Sequence, residues 1–328
     1  MKKTLIASAV AAAALSTSAF AMDPASELAA KLDSMPTIYG NIQLAAAYGD
    51  DKTDSNYSMF DNGSTIGFKH SHEIAPGVTG FFKAEFEFNA AQKQGANTDG
   101  SNGGLDETDE TYIGVKGDFG QVWAGQNDTL YEDWIDVTDW YEATAAYVDG
   151  NLTPTGEERI VQYTSPSMAG FTAGVAVQIN GEGVNGNNHR NGVVAGVKYS
   201  LDALTVALVA DTADGAAGEN TALGLSATYE MDNVGVAFQY ETQEDTVDLY
   251  SLLGTYSMGA NTFALSYSMN DYDSNHATKA DVEANTVSVQ ALHNLSDHMY
   301  VYVEGTMVDQ DNGATDFNGV ALGATYAF

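Results

Sequence analysis

Cysteine is absent from this 328-residue chain, proline occurs five times, and 12 basic residues stand against 45 acidic ones. Without cysteine there is no disulfide framework and no lipid attachment through a thiol. A formal net charge of −33 excludes nucleic acid as a partner, because phosphate is repelled by such a surface. Long apolar runs are missing as well. Downstream of residue 21 nothing approaches the ~18 consecutive apolar residues that a membrane helix needs. A barrel stays open, since it meets lipid with alternate residues only.

The two ends of the chain are informative. Asn318, Val320, Leu322, Ala324, Tyr326 and Phe328 alternate with Gly319, Ala321, Gly323, Thr325 and Ala327. A mostly apolar face opposite a face of small residues, at period two, describes a strand between lipid and a polar lumen. At the other end, Lys2 and Lys3 precede an apolar run from Leu5 to Leu15 and a small-x-small site at Ala19-Phe20-Ala21. Residues 1–21 therefore read as a secretory signal peptide, with the mature start at Met22. Residues 22–36 form a short periplasmic segment, a helix capped by Asp23-Pro24 or a frayed tail. Residues 37–328 form one barrel.

Within the barrel, segments of alternating character are separated by short and long connections in turn, and sixteen are counted. Phe82, Ala84, Phe86 and Phe88 oppose Lys83, Glu85 and Glu87; Phe171 to Ile179, Val234 to Tyr240 and Phe263 to Met269 repeat the pattern. Turn-like joints at 118–120, 166–170, 200–203, 231–233, 258–260 and 295–297 contrast with longer stretches rich in Asp, Asn and Gly at 92–109, 127–157, 181–190, 212–219 and 272–283. Short turns on one rim and long loops on the other are expected of an outer-membrane barrel. Acid scattered through the loops solvates the surface.

Several pieces resemble the general bacterial porin family of Gram-negative outer membranes. They are Ile38-Tyr39-Gly40-Asn41-Ile42, Ile66-Gly67-Phe68-Lys69, the hairpin Tyr112 to Gly125, Val161 to Pro166 with Ala169-Gly170-Phe171, and the C-terminal Tyr326-Ala327-Phe328 with Gly323 before it. The resemblance implies a 16-stranded antiparallel transmembrane β-barrel, a homotrimer in lipid and lipopolysaccharide, and a third loop folded inward to narrow the pore. It further implies that Gly323, Tyr326 and Phe328 signal to the barrel-assembly machinery.

On this reading the constriction loop is 127–157, with Asp128, Glu132, Asp133, Asp136, Asp139, Glu142 and Asp149, and the pore wall includes Asn41, Gln43, Lys83, Glu85, Glu87, Lys116 and Arg159. Family members usually carry more basic residues on that wall; here Asn41, Ser64, Thr65 and Asp109 occupy such neighbourhoods. Arg159 shares the phase of Val161 and Tyr163, so it faces inward only if a bulge intervenes or if it still belongs to the loop. A ring of carboxylates in a narrow site favours cations, so the expectation is a passive diffusion pore for small hydrophilic solutes and cations. The alternative is a saccharide-preferring pore in which Tyr131, Trp134, Trp140 and Tyr141 stack on the solute. Equally, those rings could pin the loop to the wall.

No cofactor or metal is expected. Gly181-x-Gly183-x-x-Gly186 matches a dinucleotide fingerprint by letters alone, with no helix to follow it. Asp309, Asp311 and Gly313 begin like a calcium loop, but Val320 stands where the closing glutamate belongs. A barrel enzyme and a soluble acidic binder are the rival classes; the six histidines are accompanied by no recognisable catalytic set, which counts against the enzyme.

Overall fold

Among the residues that the computed structural model describes (35–92, 105, 107–143, 152, 155–182, 189–214, 221–276, 279–311 and 316–328), alternation at period two becomes seventeen strands with one short helix. Residues 1–21, expected to be a signal peptide, residues 22–34 and the glycine run at 183–186 lie outside the described residues. The strands are β1 (Thr37–Asp50), β2 (Ser55–Asp61), β3 (Thr65–Ala75), β4 (Val78–Glu87), β5 (Glu107–Gly117), β6 (Gly120–Gln126), β7 (Ile160–Thr164), β8 (Phe171–Glu182) and β9 (His189–Leu201). They continue with β10 (Leu204–Asp214), β11 (Ala222–Met231), β12 (Val234–Gln243), β13 (Val247–Met258), β14 (Asn261–Tyr272), β15 (Glu283–Ser296), β16 (Met299–Gln310) and β17 (Phe317–Ala327). Helix α1 (Leu130–Ile135) lies between β6 and β7.

Both β2 and β3 pair with β1, β2 along Leu44–Asp50 and β3 along Thr37–Asn41. They are the two halves of one barrel strand, so the expected sixteen-stranded antiparallel barrel is what forms. At the interruption, Asp61 accepts the N–H groups of Gly63 (3.0 Å), Ser64 (2.8 Å) and Ala90 (2.9 Å), satisfying backbone that has left the ladder.

The inside and the outside follow the sequence parity. On β8, Phe171, Val175, Val177 and Ile179 are exposed while Ala176 and Gln178 are buried; on β17, Val320, Leu322 and Tyr326 are exposed while Gly319, Ala321 and Gly323 are buried. Large apolar side chains cover the outer surface, as hydrocarbon requires. Phe88, read as part of its strand's alternation, lies just beyond β4. One rim carries the tight joints, including an additional one at Pro76-Gly77. The other rim is not uniformly long-looped: residues 51–54 and 244–246 are short connections.

Closure removes the free edges that lipid would not tolerate. Strand β1 pairs with β17 from Asn41↔Ala327 to Asp50↔Asn318, and Gly40 and Phe328 exchange both backbone bonds at 3.1 and 2.9 Å. A Cβ on Gly40 would meet the Thr65 carbonyl oxygen at 2.5 Å and Cζ of Phe328 at 2.8 Å. Gly40→Val is therefore expected to destabilise the seam by about 1–3 kcal/mol, the usual cost of overpacking. Gly254→Ala, whose Cβ meets nothing nearer than 4.0 Å, serves as the control. Thermal melting followed by circular dichroism checks this, and equal midpoints for the two variants would contradict it.

Candidate functional site

The segment after β6 turns into the barrel instead of away from it. Thr129 caps α1, its hydroxyl accepting the Tyr131 N–H at 3.3 Å, and Glu132 and Asp133 occupy the first turn, where acids suit a helix N-terminus. The opposite face of α1, Leu130, Tyr131, Trp134 and Ile135, is buried. It rests on a floor of wall glycines. A Cβ on Gly196 of β9 would lie 3.0 Å from Leu130, one on Gly174 of β8 3.1 Å from Trp134, and one on Gly224 of β11 2.6 Å from Ile135. The small inward residues of the alternation are thus the seat of the loop.

Three wall carboxylates hold the loop down, and sequence reasoning missed all of them. Asp211 of β10 accepts the N–H (3.1 Å) and the hydroxyl of Thr155. Glu241 of β12 accepts the Tyr131 hydroxyl at 2.9 Å and the Leu152 N–H at 2.8 Å. Glu304 of β16 accepts the N–H groups of Glu142 and Ala143 at 2.7 and 2.9 Å. These acids are 0, 0 and 1% exposed. A carboxylate buried to that degree is tolerable only when its oxygens are occupied by donors. Their sequence signal was faint: an acid at an inward position of a strand reads as ordinary lumen polarity.

The loop aromatics act as anchors. Trp140 donates to Gln290 at 3.0 Å and Tyr141 to the Ser288 carbonyl at 2.7 Å. Tyr131, Trp134 and Tyr141 are buried against the wall, and Trp140 is half-buried. The wall also reaches back at the strand interruption, where Asn62 donates to the Glu142 carbonyl at 2.7 Å.

Between the loop and β3–β7 lies a cavity of about 790 Å³. Its lining includes Asp128, Glu132, Asp133, Asp136, Asp139 and Glu110 together with Lys69, Lys83 and Lys116. Lys83 is bound by Glu110 at 2.5 Å, with Glu85 at 3.7 Å, so its charge is cancelled locally. Lys69 stands directly across from Lys83 in the strand register. Asn41 and Gln43 do line the wall, but their side chains are spent on the interruption: Asn41 donates to Thr65 at 3.0 Å and Gln43 to the Gly63 carbonyl at 2.8 Å. Glu85 is buried and Glu87 half-buried. Arg159 does not join the wall lysines. It is exposed, one residue before β7, in a left-handed conformation (φ 59°) that belongs to the loop's exit.

Two carboxylate groupings bring their oxygens within 4.8 Å: Asp128, Glu132 and Glu157 at the neck of the loop, and Glu85, Asp109 and Glu110 around Lys83. Enclosure within the barrel, and secondarily the neighbouring Asp128 for Asp133 and Asp139 for Asp136, pushes the Asp133 and Asp136 carboxyls up, to about 7 and about 8. Asp133 opens onto the lumen, where water works against that rise.

If the wall acids clamp the loop, Glu304→Ala strands two amide donors. Hydrogen exchange at the Glu142 and Ala143 amides is expected to quicken about tenfold, the equivalent of the ~1–3 kcal/mol cost of an unpaired buried donor. Mass spectrometry of the peptide covering 142–143 reads this directly, and wild-type exchange in Glu304→Ala would mean the loop is held by other contacts.

A family profile described as Gram-negative porin matches residues 6–313. The chain is 30% identical, over 382 aligned positions and all of both chains, to a protein named monosaccharide porin from Halomonas sp.. The same identity and coverage relate it to the major outer membrane protein of Halomonas elongata. Among solved structures it is similar to Salmonella typhi OmpF in complex with daunomycin, with a TM-score of 0.74 at 17% identity, covering 90% of this chain and 99% of that one. The chain belongs to the Gram-negative porin family and is an outer-membrane porin.

Proposed function

We propose that the pore prefers cations and small neutral solutes because an acidic loop sets its narrowest part. The observation that supports this is the balance of charge around the cavity. With Lys83 paired to Glu110, the cavity lining sets the five carboxylates of Asp128, Glu132, Asp133, Asp136 and Asp139 against the two lysines Lys69 and Lys116. In a confined, partly desolvated site such an excess focuses a negative potential and concentrates cations. The homotrimer, the signal peptide at 1–21, the lipopolysaccharide surroundings and the insertion signal at Gly323, Tyr326 and Phe328 belong to the same proposal.

A second reading, a preference for monosaccharides, is favoured by the full-length relative of that name. Tyr112, Trp123 and Trp134 contribute to the cavity lining beside the carboxylates, a mixture that suits a sugar's apolar face and hydroxyls. The two readings are compatible, since an uncharged sugar is indifferent to the sign of the loop.

Replacing Asp133, Asp136 and Asp139 together with Asn is expected to lower the cation-to-anion permeability ratio about threefold or more in planar bilayers under a salt gradient. An unchanged reversal potential would remove these residues from selectivity. The raised carboxyls of Asp133 and Asp136 are charged above their shifted values and neutral below them. Cation preference should therefore fall as pH is lowered from about 8 to about 5, beginning above the range of an ordinary carboxylate. A reversal potential that is flat over that interval would contradict the assignment. Liposome swelling tests the second reading: faster entry of hexoses than of uncharged polyols of equal size is expected, and equal rates would set it aside.

A further inference from the structure

We propose that Lys198 is a specificity-determining residue of the pore, acting from beneath the loop to hold the negative potential of α1 in check. The inference rests on the reading of the loop as the selectivity element. Lys198 is on β9 at an inward position, in phase with Gly192, Val194 and Gly196. Because Gly196 has no side chain, α1 sits close enough for the Lys198 ammonium to lie 4.6 Å from the centroid of the Trp134 ring. The lysine is half-buried and, among the described residues, has no carboxylate within 4 Å.

That arrangement fixes a charge without cancelling it. A ring face attracts an ammonium through its quadrupole but carries no net charge, so the lysine's field extends to its surroundings undiminished. The helix above it bears Glu132 and Asp133 in its first turn and Asp136 at its C-cap, with no basic residue in the last turn. Lys198 and Asp133 act on each other electrostatically. Among described side chains, the strands that contact α1, β8 to β12, contribute no other lysine or arginine. The lysines that line the cavity, Lys69, Lys83 and Lys116, stand on β3, β4 and β5. Among the described side chains, Lys198 is thus the one cation on the strands behind the acidic helix, where it offsets the loop's charge and leaves the passage in front of the helix open.

The test compares Lys198→Met, which keeps an unbranched apolar stem against Trp134, with Lys198→Arg, which keeps the charge and stacks on the same ring. Reversal potentials are read in planar bilayers, with tryptophan emission as the check that α1 stays seated. Lys198→Met is expected to raise the cation-to-anion permeability ratio about twofold over the wild type with unchanged emission, and Lys198→Arg to match the wild type. An unmoved reversal potential in Lys198→Met, or equal shifts in both variants, would overturn the proposal, the latter pointing to packing instead of charge. The direction of the shift is independent of the starting point. If the wild-type pore proves unselective or anion-signed, the acidic-loop reading fails, yet Lys198→Met must still move the potential toward cations.

Discussion

A loop placed inside a barrel has to satisfy its backbone without a ladder of its own, and here the wall supplies acceptors as carboxylates. Asp211, Glu241 and Glu304 take six donors from the loop between them, spread from Tyr131 to Thr155. Each acid is buried because the loop covers it, and the loop stays down because the acids are buried. Low local dielectric strengthens such charge-assisted bonds and makes an unpaired member costly, so the contacts support one another. The position of every carboxylate on the lumen side of the loop depends on this clamp.

The same sequence pattern builds the membrane face and the seat of the loop. An outward residue must be apolar to meet hydrocarbon, while an inward residue must be small wherever something is packed upon it. Gly174, Gly196 and Gly224 meet the second demand under α1, and Gly323 meets it under Tyr302, whose ring would lie 2.2 Å from a Cβ there. Gly323 therefore has a packing reason of its own beside any part in assembly. Across the cavity from α1 the wall carries long polar side chains instead, Lys69 over the Tyr39 ring and Lys116 over the Phe81 ring, because no helix packs upon them.

Strand identity and facing were legible in β8, β12, β14 and β17, where one face is uniformly apolar and a register error would invert it. The interruption between β2 and β3 was not, because Asn62-Gly63-Ser64 reads as a turn between strands and only the shared pairing with β1 joins the halves. The loop's acids could be read from composition, but the wall acids that clamp it could not, since the contacts span 56 to 162 residues of sequence. Arg159 follows the parity read from the sequence: it is exposed in phase with Val161 and Tyr163, and its left-handed backbone at the loop's exit does not bring it inward.

The most direct measurement of the seated loop uses the absence of native cysteine. Cβ of Ile135 lies 3.1 Å from the position a Cβ would take on Gly224, close to the ~3.5–4.5 Å that a disulfide spans. In the Ile135→Cys, Gly224→Cys protein, mild oxidation should join the two thiols completely, protect them from maleimide, and leave the sign of the reversal potential unchanged. Two thiols that stay freely reactive after oxidation would show that α1 does not rest on the wall, and the clamp would then be the wrong basis for the pore's charge.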